Sequence, residues 1–315
     1  MSEVKLFYHK DNTIRISRSI EFLKVTPIKN FLWIDLNNVD EEIEDELEDY
    51  LKIYIQEEEE MIEIEMSSRY IETAESLVVN MNFLLNDFTR EPVSFILKNN
   101  ILITVRGEEL TSFHETVTKM FSNPKNFSTG YHVLLALIET RVERDADMIE
   151  MMTQQITSLS NSFSLKAADE SLLNEIKNLQ EKTMTLRENI IDKQRVVTSL
   201  LKSELIPNDL HGRLTILVKD INSLLEHVRF SFDRLDYLQD TFLGYVNVEQ
   251  NKIIKMFTVI SVIFMPPTLI ASIYGMNFGD SMPELKWSLG YPFSLLIMVL
   301  SVTIILIYFK RKKWL

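Results

Sequence analysis

The chain contains no cysteine, so disulfides, thiolate metal sites and cysteine nucleophiles are excluded, and the absence fits a reducing compartment. Glycine is scarce: there are seven in 315 residues, none set out as GxGxxG or GxxxxGK, which removes the phosphate-cradling loops of nucleotide-binding folds. The five histidines, His9, His114, His132, His211 and His227, show neither HExxH nor any paired ligand spacing, so each reads as a surface or packing residue. No catalytic constellation emerges, and the chain does not read as an enzyme. An excess of positive charge is missing too; the formal net charge of -13 argues against nucleic acid as a partner. The N-terminus, MSEVKLFYHKDNTIR, lacks the apolar core of a signal peptide.

Charge is unevenly spread. Two acidic runs, Glu41 to Asp49 and Glu57 to Glu60, read as a solvated helix face and a loop, whereas the last six residues, KRKKWL, are basic. Long apolar runs are confined to the C-terminus. Ile254 to Tyr274 has a single charge, Lys255 at its edge, and Leu289 to Phe309 has none. At about 1.5 Å per residue roughly 20 residues cross a ~30 Å hydrocarbon layer, so both segments have membrane length. Short basic flanks stay cytoplasmic, which puts the tail after Phe309 inside and, with two crossings, the N-terminus as well. The connection YGMNFGDSMPELKW, Tyr274 to Trp287, is then the only part exposed on the far side.

Residues 1–127 read as a mixed α/β cytoplasmic domain. NFLWIDL (Asn30 to Leu36) has strand character, and Asn38 is placed to cap the charged, apolar-spaced VDEEIEDELEDYLKIY as a helix. MIEIEM alternates with period two, SLVVNMNFL is a β-rich run, and VSFILKNNILITVR reads as a hairpin turning at Asn99 and Asn100. Residues 128–250 read as a helical bundle and stalk. Tyr131 to Ser160 and Glu170 to Ser203 suggest a long antiparallel pair joined by the Ser-rich SLSNSFSLKAADES.

A third helix starts after Pro207. Its apolar residues recur at Leu214, Val218, Ile221, Leu225, Val228, Phe232, Leu235, Phe242 and Val246, and a second row runs through Leu217, Leu224, Leu238 and Tyr245 with a gap at Ser231. Two such seams fit a coiled coil with other chains and an intramolecular bundle equally well. Gly244 is the only weak interruption before the membrane, and a lone glycine costs about 1 kcal/mol in a helix. The expected helix runs from Asn208 to Tyr274, on the order of 100 Å. Residues 251–315 complete the chain as the membrane region, with 254–274 the first span, 275–288 the external loop, 289–309 the second span and 310–315 the tail.

One face of the long helix carries Asp240, Asn247, Asn251, Ile254, Thr258, Ser261, Met265, Thr268 and Ser272, spaced by threes, fours and a seven, so they form one stripe. Within the membrane this stripe gathers every serine and threonine hydroxyl of the first span. Polar groups are costly against lipid and should face protein or water. Two outcomes satisfy that demand: helix packing through small residues, or a water-filled path enclosed by a homo-oligomer.

Tyr274-Gly275-Met276-Asn277 at the end of the first span, MPELKW at Met282 to Trp287, GYP at Gly290 to Pro292 and the terminal FKRKKWL closely resemble the CorA family of magnesium transporters. The likeness is strong over roughly residues 207–315 and extends in architecture to the acidic α/β region. It implies a funnel-shaped homopentamer in the cell membrane, with an α/β cytoplasmic domain, a long helical stalk and two transmembrane helices, the first of which lines the pore. The resemblance places Gly275, Met276 and Asn277 at the selectivity mouth, where a ring of Asn277 amide oxygens would meet hydrated Mg2+, with Co2+ or Ni2+ as further cargo. Thr268 and Met265 fall on the narrow path, Phe257, Ile254 and Asn251 at the constriction, and Asp240 at an acidic ring on the inner mouth. Asp233 and Asp236 lie on the same side as Asp240, and with Asp220 they are candidates for sensing bound metal. The family's stalk regulatory position falls on Ile216, which offers no oxygen; Asp220 lies a turn later. The loop departs as well, with Gly279, Asp280 and Ser281 between Phe278 and Met282. Two alternatives remain: a zinc transporter of the same superfamily, and a membrane-tethered sensor or scaffold that transports nothing.

Overall fold

A computed structural model describes residues 3–11, 13–56, 69–162, 170–277, 282 and 287–312. The alternating MIEIEM, the acidic run from Glu57 to Glu60, the middle half of the Ser-rich joint, and Gly279, Asp280 and Ser281 lie outside the described residues. The chain divides into two compact units, Met1–Leu238 and Gln239–Leu315.

The first unit is built on a seven-stranded sheet of order β2-β1-β3-β7-β6-β5-β4. Its strands are β1 Glu3–Lys10, β2 Thr13–Ser17, β3 Phe31–Asn37, β4 Tyr70–Glu72, β5 Ser76–Leu84, β6 Arg90–Lys98 and β7 Ile101–Arg106. Every neighbouring pair is antiparallel except β3 with β7, where Trp33 aligns with Leu102. Side chains alternate across the sheet as the pleat demands. Phe7, Trp33, Phe95 and Leu102 enter one core, while Leu6, Ile34, Ile96 and Ile103 enter the other, where Leu23 of α1 (Glu21–Val25) and Leu47 of α2 (Glu41–Leu51) cover them. The β6–β7 turn falls on Asn99 and Asn100 as expected, with φ of 52° and 68°; asparagine tolerates the left-handed region that a two-residue hairpin turn requires.

Asn38 is not the cap of α2. It adopts φ 48° and donates its backbone N–H to the Arg106 carbonyl at 2.8 Å, while Asp40 precedes the helix in extended conformation. The helix also stops at Leu51, where Lys52 turns left-handed, so Ile53 and Tyr54 are not helical. Five elements went unassigned from the sequence: the strands β1, β2 and β4, the short helix α1, and the helix α3, Thr111–Ser122.

The first core is closed by α4 (Gly130–Ser162), α5 (Glu170–Lys202) and the start of α6 (His211–Tyr274). Gly130 sits where the chain turns off the sheet; a Cβ there would lie 2.3 Å from the Leu102 nitrogen, so only glycine fits. Hydrogen bonds fix the helix directions. Gln180 donates to Asp236 at 2.9 Å and Gln194 to Asn222, so α5 and α6 run antiparallel. Arg213 reaches Glu139 at 3.0 Å and Arg234 reaches Thr157 at 3.0 Å, so α4 and α6 run parallel. The seam of α6 is therefore filled by its own chain: Leu214, Leu217, Ile221, Val228, Leu235, Leu238 and Phe242 are buried, and Ser231 is buried among them. An intramolecular bundle accounts for that face.

A buried ionic knot ties the bundle to the sheet. Arg141 donates to Asp145 at 2.9 and 2.5 Å and to the Leu84 carbonyl at 2.7 Å, Lys193 pairs with Asp145 at 2.9 Å, and Asn189 donates to the Asn82 carbonyl at 2.7 Å. Complete burial pushes the Lys193 ammonium down to about 8; Asp145 opposes the shift and Arg141 adds to it. Because the folded value lies below the ~10.4 of an unfolded lysine, the folded state holds fewer protons between those values, and stability should rise with pH across that window. The gain is at most ~3 kcal/mol. Thermal melting of the detergent-purified protein from pH 8 to 10 should show this rise, and Lys193→Met should remove it. Parallel pH curves for the two proteins would mean that Lys193 is not charged at a cost.

Candidate functional site

The second unit contains the apolar end of α6 and the helix α7, Gly290–Arg311. Both are long and apolar enough to cross a membrane, with mean hydropathy of 2.0 and 2.4 over their most apolar stretches. Each has one covered face. On α6, Val259 is buried and Val262, Ile263, Pro266, Pro267 and Ile270 are half-buried; on α7, Ser294 and Phe309 are buried with Ile297, Ser301, Val302 and Ile305 half-buried between them.

The stripe expected to face water or protein is the other side of α6. Asn251, Ile254, Thr258, Ser261, Met265, Thr268 and Ser272 are all exposed on the single chain, and so is Phe257, one step off the row. Ile254, Phe257 and Met265 are 61%, 61% and 65% exposed, so the chain itself offers these large side chains almost no cover. The hydroxyls of Thr258 and Thr268 donate back to the Ile254 and Phe264 carbonyls at 2.8 Å each. Their protons are thus committed to the helix, which leaves oxygen lone pairs outward as neutral acceptors. No carboxylate, histidine or lysine interrupts this row between Asn251 and Ser272.

The helix ends at Tyr274. Gly275 donates to the Ala271 carbonyl at 2.9 Å and Met276 to Ile273 at 3.3 Å, which tightens the last turn and leaves Asn277 exposed beyond it. Glycine at position 275 is not required by backbone conformation. Its φ lies outside the left-handed region, and the constraint is space, since a Cβ would stand 3.1 Å from the Ala271 oxygen.

The acidic candidates do not form one cluster. Asp236 accepts from Gln180 of α5, and Asp220 lines a cavity of about 460 Å³ between α4 and α6 together with Glu139, Glu143, Arg213, Ile216 and His227. Asp233 and Asp240 are exposed, and their spacing of seven puts them on the same row as the stripe. Among the described residues of one chain, no three carboxylates or histidines are disposed to hold a metal. The cavity beside Asp220 was not legible in the sequence, because Glu139 and Glu143 come from α4 and meet α6 only through the parallel packing.

Residues 29–311 match the family model described as CorA-like Mg2+ transporter protein. The magnesium transport protein CorA of Wolinella succinogenes is 43% identical over 295 residues, covering 91% of this chain and 92% of that protein. The protein of the same description from Escherichia coli K12 is 33% identical over 308 residues, covering 96% and 97%. In fold the chain is similar to the complete structure of the CorA magnesium transporter from Methanocaldococcus jannaschii, with a TM-score of 0.84 over 99% of this chain and 98% of that one, at 17% identity.

The exposed stripe can be probed directly because the chain has no native thiol. Thr258→Cys, Ser261→Cys and Thr268→Cys in membrane-embedded protein should react with a water-borne thiol reagent. Val262→Cys and Ile270→Cys, on the half-covered side, should react at least tenfold more slowly. Equal rates at both sets would show that the stripe does not face water.

Proposed function

The chain belongs to the family of CorA-like Mg2+ transporters, and from that membership we propose that it carries hydrated Mg2+ across the cell inner membrane as a homopentamer, by transport and not by catalysis. Both termini lie in the cytoplasm, α6 lines the pore around the axis, and α7 stands outside it against lipid. The observation that carries the proposal is the exposed row of neutral oxygens and small or flexible side chains on α6, ending at Asn277. Polar groups on a membrane helix need a wet or protein surface, and a single chain with two spans cannot enclose one.

Chemistry favours magnesium. Mg2+ binds hard oxygen, prefers octahedral geometry and gives up its water reluctantly, so a ring of Asn277 amide oxygens can hold the hydrated ion without stripping it. A carboxylate ring would bind more tightly and release more slowly. Co2+ and Ni2+ are accepted as secondary cargo. Zinc favours nitrogen and sulfur donors, and the stripe has neither histidine nor cysteine. Asn277→Ala should lower Mg2+ uptake into proteoliposomes by more than tenfold and leave the oligomer intact. Near-normal uptake by the assembled variant would end the role assigned to Asn277; competing Co2+, Ni2+ and Zn2+ in the same assay ranks the cargo.

Regulation follows from the same symmetry. Among the described residues of one chain no three carboxylates or histidines are disposed to hold a metal, and the proposed sensing site draws its acids from several protomers. Asp233 and Asp240, on the axial row, are the pair that five-fold symmetry would gather. Bound Mg2+ would hold neighbouring stalks together, and its loss would leave carboxylates repelling by about 4 kcal/mol per pair at ~4 Å and an effective dielectric near 20. The double variant Asp233→Asn, Asp240→Asn should lose Mg2+-dependent protection against protease, whereas Asp220→Asn, Asp236→Asn should keep it. The reverse pattern would move the sensor to the groove between α4 and α6.

A further inference from the structure

A cavity at the start of α3 lies wholly in the first unit and plays no part in the ion path. It measures about 320 Å³, at the lower end of the ~300–1,000 Å³ typical of small-ligand sites, and is lined by the β5–β6 turn, the first residues of α3 and the α4 side chains Arg141, Arg144 and Met148. Two arginines set its charge. Arg141 belongs to the buried knot, which carries two cations, Arg141 and Lys193, against one carboxylate, Asp145. Asp192, whose charge also reaches Lys193, is itself paired with Arg69 at 3.0 Å. The knot therefore holds one positive charge in excess, which burial makes costly without a counter-ion.

Donors are left over at the same place. The helix α3 has no side-chain cap at Leu110 and no acid in its first turn, and among the described residues the backbone N–H groups of Thr111 and Ser112 have no acceptor. Ser112, on the cavity wall, is 2% exposed, and its hydroxyl is without a partner. Arg144 reaches only Asp147 at 3.7 Å and Glu115 at 3.9 Å, too long for hydrogen bonds, so its planar donor fork is uncommitted. Two exposed carboxylates stand at the rim. Asp87 accepts from the Thr89 N–H at 2.9 Å and Glu109 lies 3.7 Å from His114, and neither pairs with an arginine. Water and salt screen these two, whereas the charge on the knot is buried.

We propose that this cavity binds a phosphate-class oxyanion, with Arg144, the Ser112 hydroxyl and the amide groups that open α3 as its donors. A tetrahedral oxyanion offers acceptors in several directions at once, and its charge offsets the excess on the knot behind Arg141. An apolar ligand would leave those donors unpaired, and a cation would face two arginines. The site depends neither on the oligomer nor on the transport proposed above. It joins the β5–β6 turn of the sheet to α3 and α4, so filling it would stiffen the junction between sheet and bundle.

Calorimetric titration of detergent-purified full-length protein with inorganic phosphate, the ionic strength held constant with chloride, should show one saturable site per chain. Glycerol phosphate titrated alongside separates the free ion from the phosphoryl group of a larger metabolite, the tighter of the two naming the source. Arg144→Gln should weaken binding at least tenfold and Ser112→Ala at least threefold, whereas Glu109→Gln, which removes a rim carboxylate, should tighten it about twofold. Arg144 makes no hydrogen bond, so its replacement leaves the fold in place, and melting in chloride checks this. A gain at Glu109→Gln is an effect that damage to the fold does not produce. Failure of both ligands to bind, or equal affinities in Arg144→Gln and Glu109→Gln, would overturn the site.

Discussion

In a helix, the direction of each side chain is set by its distance in sequence from every other, and no local adjustment can change one without the rest. The 64 residues of α6 make this the governing constraint of the protein. In the first unit the seven-residue period appears as the buried seam through Leu214, Ile221, Val228 and Leu235, an apolar face for the helix's own bundle. In the second unit the same helix carries the exposed row of uncharged side chains from Asn251 to Ser272.

The bundle can hold that register only if it does not slide on the sheet. Side-chain donors to β5 carbonyls, from Arg141 to Leu84 and from Asn189 to Asn82, pin α4 and α5 at defined heights. Hydrophobic contact alone is non-directional and would tolerate a shifted register; a buried hydrogen bond would not, because a one-turn slip leaves its polar groups unpaired at a cost of about 1–3 kcal/mol each. Lys193 and Asp145 are buried at the same place, where breaking the pair would strand a charge in the core. The cost that burial imposes on the Lys193 charge thus accompanies a fixed α4–α5 alignment, and Gln180, Gln194, Arg213 and Arg234 carry that alignment to α6.

Periodicity over long stretches was the most legible part of the sequence. The helices around Tyr131 to Ser160 and Glu170 to Ser203, the unbroken α6 and both apolar spans all follow from repeats many residues long, where single exceptions average out. The Asn99-Asn100 hairpin was legible for a different reason: a local turn chemistry with few alternatives. Short elements failed. In Glu3–Ser17 the alternation is short: it holds only over TIRIS in β2 and breaks at Leu6-Phe7-Tyr8 in β1, and the strands are secured because β1 pairs with β3 further along the chain. Asn38 satisfied the rule for a helix cap, yet tertiary pairing with Arg106 of β7 claimed its backbone instead. The heptad seam could not say whose helices filled it; that answer lies in the cross-helix bonds, which no single-sequence pattern contains. The cavity beside Asp220 was hidden for the same reason.

Pro266 and Pro267 show how the apolar end of α6 combines a fixed register with room to move. Both lie inside the helix and neither has an N–H, so the carbonyls of Val262 and Ile263 lose their donors. Those two residues are on the half-covered side, away from the exposed row. The helix is therefore weakest against bending about a line that runs beside the stripe and not through it. A change of bend there would re-aim Thr268, Ser272 and Asn277 relative to Thr258 and Ser261; the Thr258 bond to the Ile254 carbonyl lies wholly before the proline pair, whereas the Thr268 bond to the Phe264 carbonyl spans it. A bend at this proline pair leaves the freed carbonyls on the half-covered side of the helix and adds no unpaired polar group to the exposed row.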